Sequence, residues 1–146
     1  MDSSMLLISS NEGIAELLRS AKTLAILGIK PETHSFQPAF YVSDYMQKVG
    51  YNVVPVPVYY PDVTTILGVP VRRKVAEIEE PVDMVVVFRR PGDIPPHLED
   101  IIAAKPSSVW FQSGIRNDAA ARVLAGAGIK VVQDKCIMVE HRTLIR

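Results

Sequence analysis

Cysteine is almost absent from this chain. Cys136 stands alone among 146 residues, so no internal disulfide can form, and a reducing compartment is expected. Neither sign of charge is in excess. The 16 Lys and Arg match the 16 Asp and Glu, which argues against a general nucleic-acid binder. No apolar run approaches a membrane span; the longest, such as residues 84–88 (MVVVF), are far too short. The first ten residues carry Asp2, no basic cluster and only a short apolar patch, so no signal peptide is expected. These absences lead to the expectation of a soluble cytoplasmic protein. Repeats, low-complexity tracts and linkers are also missing. One domain over residues 1–146 is therefore expected, and its 48% hydrophobic content suffices for a self-standing core.

Catalytic signatures are equally scarce. His34, His97, His141 and Cys136 lack metal-site spacing, so no metal ligands are assigned. Ser113 precedes Gly114 but sits in no GxSxG elbow. His141 has Glu140 beside it and no nucleophile spaced to use the pair. No catalytic residue is assigned, and autonomous catalysis is not expected.

What is present is an alternation of helix and strand. Ser9 and Glu12 have capping-box spacing ahead of a short helix at about 10–21. Residues 23–29 (TLAILGI) read as a strand buried on both faces. A helix over 38–49 follows, with Pro38 in its first turn and Gly50 ending it. Residues 51–58 (YNVVPVPV) read as a second strand whose pairing fades at Pro55 and Pro57. Residues 61–68 read as a loop, 69–72 as a short third strand and 74–79 as a helical turn. A fourth strand spans 83–88, and Asp93 is placed to cap a helix over 94–104. Residues 108–112 form a fifth strand. Asn117 caps a helix over 118–127, which Gly126 or Gly128 ends. A last strand covers 129–133, and 140–146 form a polar tail. This alternation predicts an α/β fold: a doubly wound parallel sheet with helices on both faces, in the order 3-2-1-4-5 with a sixth strand beyond.

Ligands of such sheets bind beyond the carboxyl ends of the strands, where the winding reverses. Those positions hold Gly28, Ile29 and Lys30 after the first strand and Pro55, Val56 and Pro57 at the end of the second. They hold Phe88, Arg89, Arg90 and Pro91 after the fourth, and Gln112, Ser113, Gly114 and Ile115 after the fifth. Lys30, Arg89 and Arg90, with a helix N-terminus near Pro38, suit a phosphate or pyrophosphate. The dinucleotide fingerprint is missing, because Gly28 has no companion glycines and residues 56–60 contain no acid for a ribose. A nucleotide other than NAD fits better.

The ordered set TLAILGI, YNVVPVPV, VDMVVVFRRP, SVWFQSGI, VVQDKC and EHR resembles the small stand-alone CoA-binding proteins. These are similar to the N-terminal CoA-binding domain of the succinyl-CoA synthetase alpha subunit. The resemblance runs from Lys22 to the C-terminus; residues 110–115 and 134–136 are its most specific parts. It implies a Rossmann-like fold and coenzyme A or an acyl-CoA as ligand. It implies contacts at Gly28, Ile29 and Lys30, at Pro55, Val56 and Pro57, and at Phe88, Arg89 and Pro91. Two departures stand out. Ile29-Lys30 replaces a pair of small residues, and Pro55-Val56-Pro57-Val58 replaces a Pro-Val-Asn-Pro pattern. The synthetase's phosphorylated histidine belongs to a second domain, so ligase chemistry is not implied. The expectation is a carrier, sensor or partner-dependent module, with no nucleic acid or membrane partner, and a homodimer because symmetric dimers are common. An NAD(H)-binding regulatory domain, and an enzyme of acyl or thiol chemistry using Cys136, are the alternatives.

Overall fold

The computed structural model describes residues 3–145; Met1, Asp2 and Arg146 lie outside them. Five parallel strands form the main sheet: β1 (Thr23–Leu27), β2 (Asn52–Val56), β5 (Met84–Val87), β6 (Ser108–Phe111) and β7 (Lys130–Val132), in the order β2-β1-β5-β6-β7. A separate antiparallel hairpin joins β3 (Thr65–Ile66) to β4 (Val69–Pro70). The winding reverses between β1 and β5. The fold is the expected α/β, Rossmann-like, doubly wound sheet.

The strands read as continuous apolar runs because both faces are covered. Alternate residues face opposite layers. Leu24, Ile26, Met84, Val86 and Trp110 pack under helices α1 (Asn11–Ser20), α2 (Pro38–Lys48) and α5 (Ile137–Leu144). Ala25, Leu27, Val85, Val87, Val109 and Phe111 pack under α3 (Leu98–Ala104), α4 (Asp118–Gly126) and the turn at Val75–Glu77. Full burial of each Leu, Ile or Val contributes about 1.5–3 kcal/mol. Trp110 is wholly buried, and its indole N–H is satisfied by the Lys135 carbonyl at 2.7 Å.

Several expected elements shift. Ser10, not Ser9, caps α1, its side chain accepting the Gly13 N–H. The expected third strand leaves the main sheet. Asn52 N and Val56 O bond towards β1, so positions 53, 55 and 57 face outward. Pro55 and Pro57 leave Val53 as the one donor among those outward positions. One bond from Arg72 N to the Pro55 carbonyl crosses to it, and β4 pairs with β3 instead. Asn117 caps α4 as expected. Asp93 caps nothing: Pro91, Pro95 and Pro96 tighten the approach into 3-10 turns, and α3 starts only at Leu98. The expected polar tail is mostly α5, because Ile137 is fully buried against the α1–α2 layer with Leu144 and Ile145 packed behind it.

Candidate functional site

Gly28 ends β1 with φ +87°, and its N–H donates to the Val56 carbonyl. A Cβ there would lie 2.4 Å from the Phe88 carbonyl oxygen. The turn after β1 therefore rests directly on the end of β5, an approach only glycine permits. Ile29 is 1% exposed and faces the core, so its bulk does not stand over this turn. The chain then returns through Lys30, whose ammonium donates to Gln37 Oε1, to the Pro38 start of α2.

A cleft of about 690 Å³ opens beyond the strand ends. It gathers Lys30, Phe88, Arg89, Arg90, Pro91, Gln112, Ser113, Gly114 and Ile115 from the expected set. It does not gather Gly28, Ile29, Pro55, Val56 or Pro57. Pro55, Val56 and Pro57 are buried, and Pro57 borders a second recess of about 630 Å³ with Val58, Lys74 and His97. The remaining walls of the first cleft are helical. Ala39, Tyr41 and Val42 come from α2, and Met138 and Val139 from α5, with Cys136 just before it.

Arg89 borders the first cleft and bonds His97, which borders the second recess. Its side chain is 15% exposed, and its Nε donates to His97 Nε2 at 3.2 Å. Its guanidinium lies 5.6 Å from the Tyr59 ring centroid and 4.0 Å from Asp93 Oδ2. Arg90 meets the same Asp93 oxygen at 4.0 Å but is otherwise in solvent. Gly114 takes φ +83° and donates to Asp134 Oδ1 at 2.6 Å, which fixes the β6 turn. Gln112 is 3% exposed, and its Oε1 accepts the Ile137 N–H.

Three side chains here are held by partners that no local pattern reveals. His97 is half-buried. The Arg72-Arg73-Lys74 run is not simply solvated: Arg73 donates to the carbonyls of Tyr59, Tyr60 and Val63 and straps down the loop after β2. His141 pairs with Tyr45 at 2.8 Å rather than with Glu140, which meets Lys135. Among the described residues, no group of three His, Cys, Asp or Glu is placed to hold a metal, and no helix is long and apolar enough to cross a membrane.

Burial lowers the pKa of His97 below 6.5, and the Arg89 charge lowers it further against the opposing pull of Asp100 and Asp93. Because Arg89 Nε–H must meet a bare nitrogen, neutral His97 carries its proton on Nδ1. Burial also lowers the His141 pKa. The folded state thus keeps both rings neutral, while the unfolded chain takes up protons near pH 6.5. Stability is full above that pH and is lost as pH falls through the folded pKa values. Thermal melts from about pH 7.5 down to about pH 5 should show a falling Tm, and His97→Gln should flatten the slope. An unchanged slope in the variant would remove His97 from the linkage.

A family model described as "CoA binding domain" matches residues 22–142. The uncharacterised protein YneT of Bacillus subtilis (strain 168) is 34% identical over 134 residues, covering 90% of this chain and 94% of that protein. A Thermus thermophilus structure, cell-free ID.343, superposes with a TM-score of 0.85 at 37% identity, over 94% of this chain and all of that one. A hypothetical protein from Pyrococcus horikoshii OT3 gives a TM-score of 0.85 at 29% identity, over 94% of each chain.

Proposed function

Because the chain belongs to the CoA-binding domain family, we propose that it binds coenzyme A or an acyl-CoA across the crevice beyond its strand ends, as a carrier, sensor or partner-dependent module. One observation carries this reading: Lys30 from after β1 and Arg89 and Arg90 from after β5 border one cleft. Cations from two adjacent connections suit a pyrophosphate, to which the guanidinium fork can donate in pairs. Gly28 lets the turn after β1 rest on the β5 end, which brings the connections that carry Lys30 and Arg89 side by side. In this reading the buried run Pro55–Val56–Pro57 backs the adenine or pantetheine side. Gln112, Ser113, Gly114 and Ile115 close the far end. A cytoplasmic location is part of the proposal, since it keeps both the ligand and Cys136 as thiols.

Isothermal titration with CoA and with NADH tests it. CoA should bind more tightly than NADH, because residues 56–60 present no carboxylate to a ribose. Raising salt from about 0.1 M to about 1 M shortens the screening length from roughly 10 Å to roughly 3 Å, so CoA affinity should drop. Tighter NADH binding, or no CoA binding at either salt, would overturn the reading.

A further inference from the structure

Gln112 is the residue immediately after β6, and its carboxamide orientation is fixed. The Ile137 N–H at 2.8 Å can be met only by an oxygen, so Oε1 closes the first turn of α5 and the NH2 group lies on the other side. Nε2 donates to no described residue. No fully buried side-chain nitrogen or oxygen among the described residues lacks a partner, so Nε2 keeps an opening, and the space Gln112 borders is the cleft. A residue 97% out of solvent thus keeps an unpartnered donor nitrogen at the cleft wall.

The surroundings of that donor are apolar. Met138 and Val139 follow Ile137 on the same turn of α5, and Tyr41 and Val42 of α2 border the same cleft. Val139 and Tyr41 are 44% and 41% exposed. Met138 adds an unbranched thioether that adapts to ligands of different shape. Arg89 and Arg90 stand on the β5 connection, one strand away from Gln112, and Lys30 on the β1 connection, two strands away. The cleft therefore receives cations from the β1 and β5 connections and carries a hydrogen-bond donor after β6, beside the α5 residues Met138 and Val139.

The geometry points to an acyl thioester as the ligand's terminal group. Gln112 Nε2–H donates to the thioester carbonyl oxygen, and the acyl chain lies against Met138 and Val139 of α5. A free thiol is a poor acceptor for that donor, whereas a thioester carbonyl is a good one. This assignment rests on the CoA reading of the same cleft.

Calorimetry on four ligands separates the two: CoA, acetyl-CoA, octanoyl-CoA, and S-ethyl-CoA, in which a methylene replaces the carbonyl. Acetyl-CoA should bind roughly fivefold more tightly than S-ethyl-CoA, the value of one hydrogen bond. Octanoyl-CoA should gain further, by up to about fourfold per buried methylene. Gln112→Glu keeps an oxygen for the Ile137 N–H and removes the donor, so it should erase the acetyl-over-ethyl preference. If that variant fails to fold, the thioether comparison on the native protein decides. Equal affinities for CoA, acetyl-CoA and S-ethyl-CoA overturn the thioester assignment and leave CoA binding intact. So does an equal loss for CoA and acetyl-CoA in Gln112→Glu, since the added negative charge alone weakens both alike and leaves the carbonyl without a specific donor. No binding of any of the four overturns the CoA reading itself, and the inference with it.

Discussion

Gly28→Ala is expected to lower Tm by roughly 10 °C and to weaken CoA binding in the fraction that remains folded. Two effects add. The position takes φ +87°, which a side chain resists, and the new Cβ would meet the Phe88 carbonyl oxygen at 2.4 Å, its carbon at 3.1 Å and Arg89 Cδ at 3.3 Å. The first two of these are backbone atoms and cannot swing aside. Both segments are pinned by the sheet: Gly28 N donates to Val56 O at 2.9 Å, and Phe88 N to Leu27 O at 2.8 Å. Relief requires the ends of β1 and β5 to part, at a cost of about 2–3 kcal/mol. Parting them also moves the two connections that hold Lys30 and Arg89. Gly50→Ala is the internal control, because Gly50 has φ +111° and open space where its Cβ would go. It should lose only the conformational share, about 1–3 kcal/mol. Circular-dichroism melts of both variants separate the two contributions. Equal Tm losses would show that the close contact at Gly28 relaxes freely.

The parts of this architecture that were legible in the sequence are those governed by local rules. Residues 24–27 and 84–87 announce buried parallel strands because every position is apolar, as double-sided coverage requires. Asn117 announces the start of α4 because its side chain bonds a backbone N–H three residues ahead. What stayed hidden depends on partners distant in the chain. The hairpin of β3 and β4 turns at Leu67 and Gly68, both with positive φ, and a leucine there gives no turn signal. Segment 140–146 looks polar, yet α5 forms because Ile137, invisible as a helix start, buries itself against α1 and α2. The same divide runs through the cleft. Its strand-end residues follow from topology alone. Its helical wall of Tyr41, Met138 and Val139 could not be read before α5 was known to dock. Gln112 belongs to both groups: its place at a strand end was legible, but its free amide follows only from the Ile137 contact. His97 is similar, since nothing local ties it to an arginine eight residues earlier.

Arg89→Ala should weaken CoA binding about 10- to 100-fold, whereas Arg90→Ala should cost only a few-fold. The two arginines are adjacent and equally charged, so the contrast isolates geometry. Arg89 is held on three sides, by His97 Nε2 at 3.2 Å, the Tyr59 ring at 5.6 Å and Asp93 at 4.0 Å. Its guanidinium is thus ordered before any anion arrives, and little side-chain entropy remains to be lost on binding. Arg90 is 92% exposed with Asp93 alone nearby, so ordering it offsets most of what a phosphate contact contributes. Arg89→Lys should recover little, because an ammonium lacks both the fork and the Nε–H that His97 accepts. The Arg89 variants should also lose part of the salt dependence of binding, since one charge–phosphate contact is gone. Melts run alongside the titrations tell a lost contact from a lost fold. Unchanged affinity in a folded Arg89→Ala protein would take Arg89 out of the site. Equal losses at 89 and 90 would mean that net charge near the cleft matters and that the ordering of Arg89 by His97 does not.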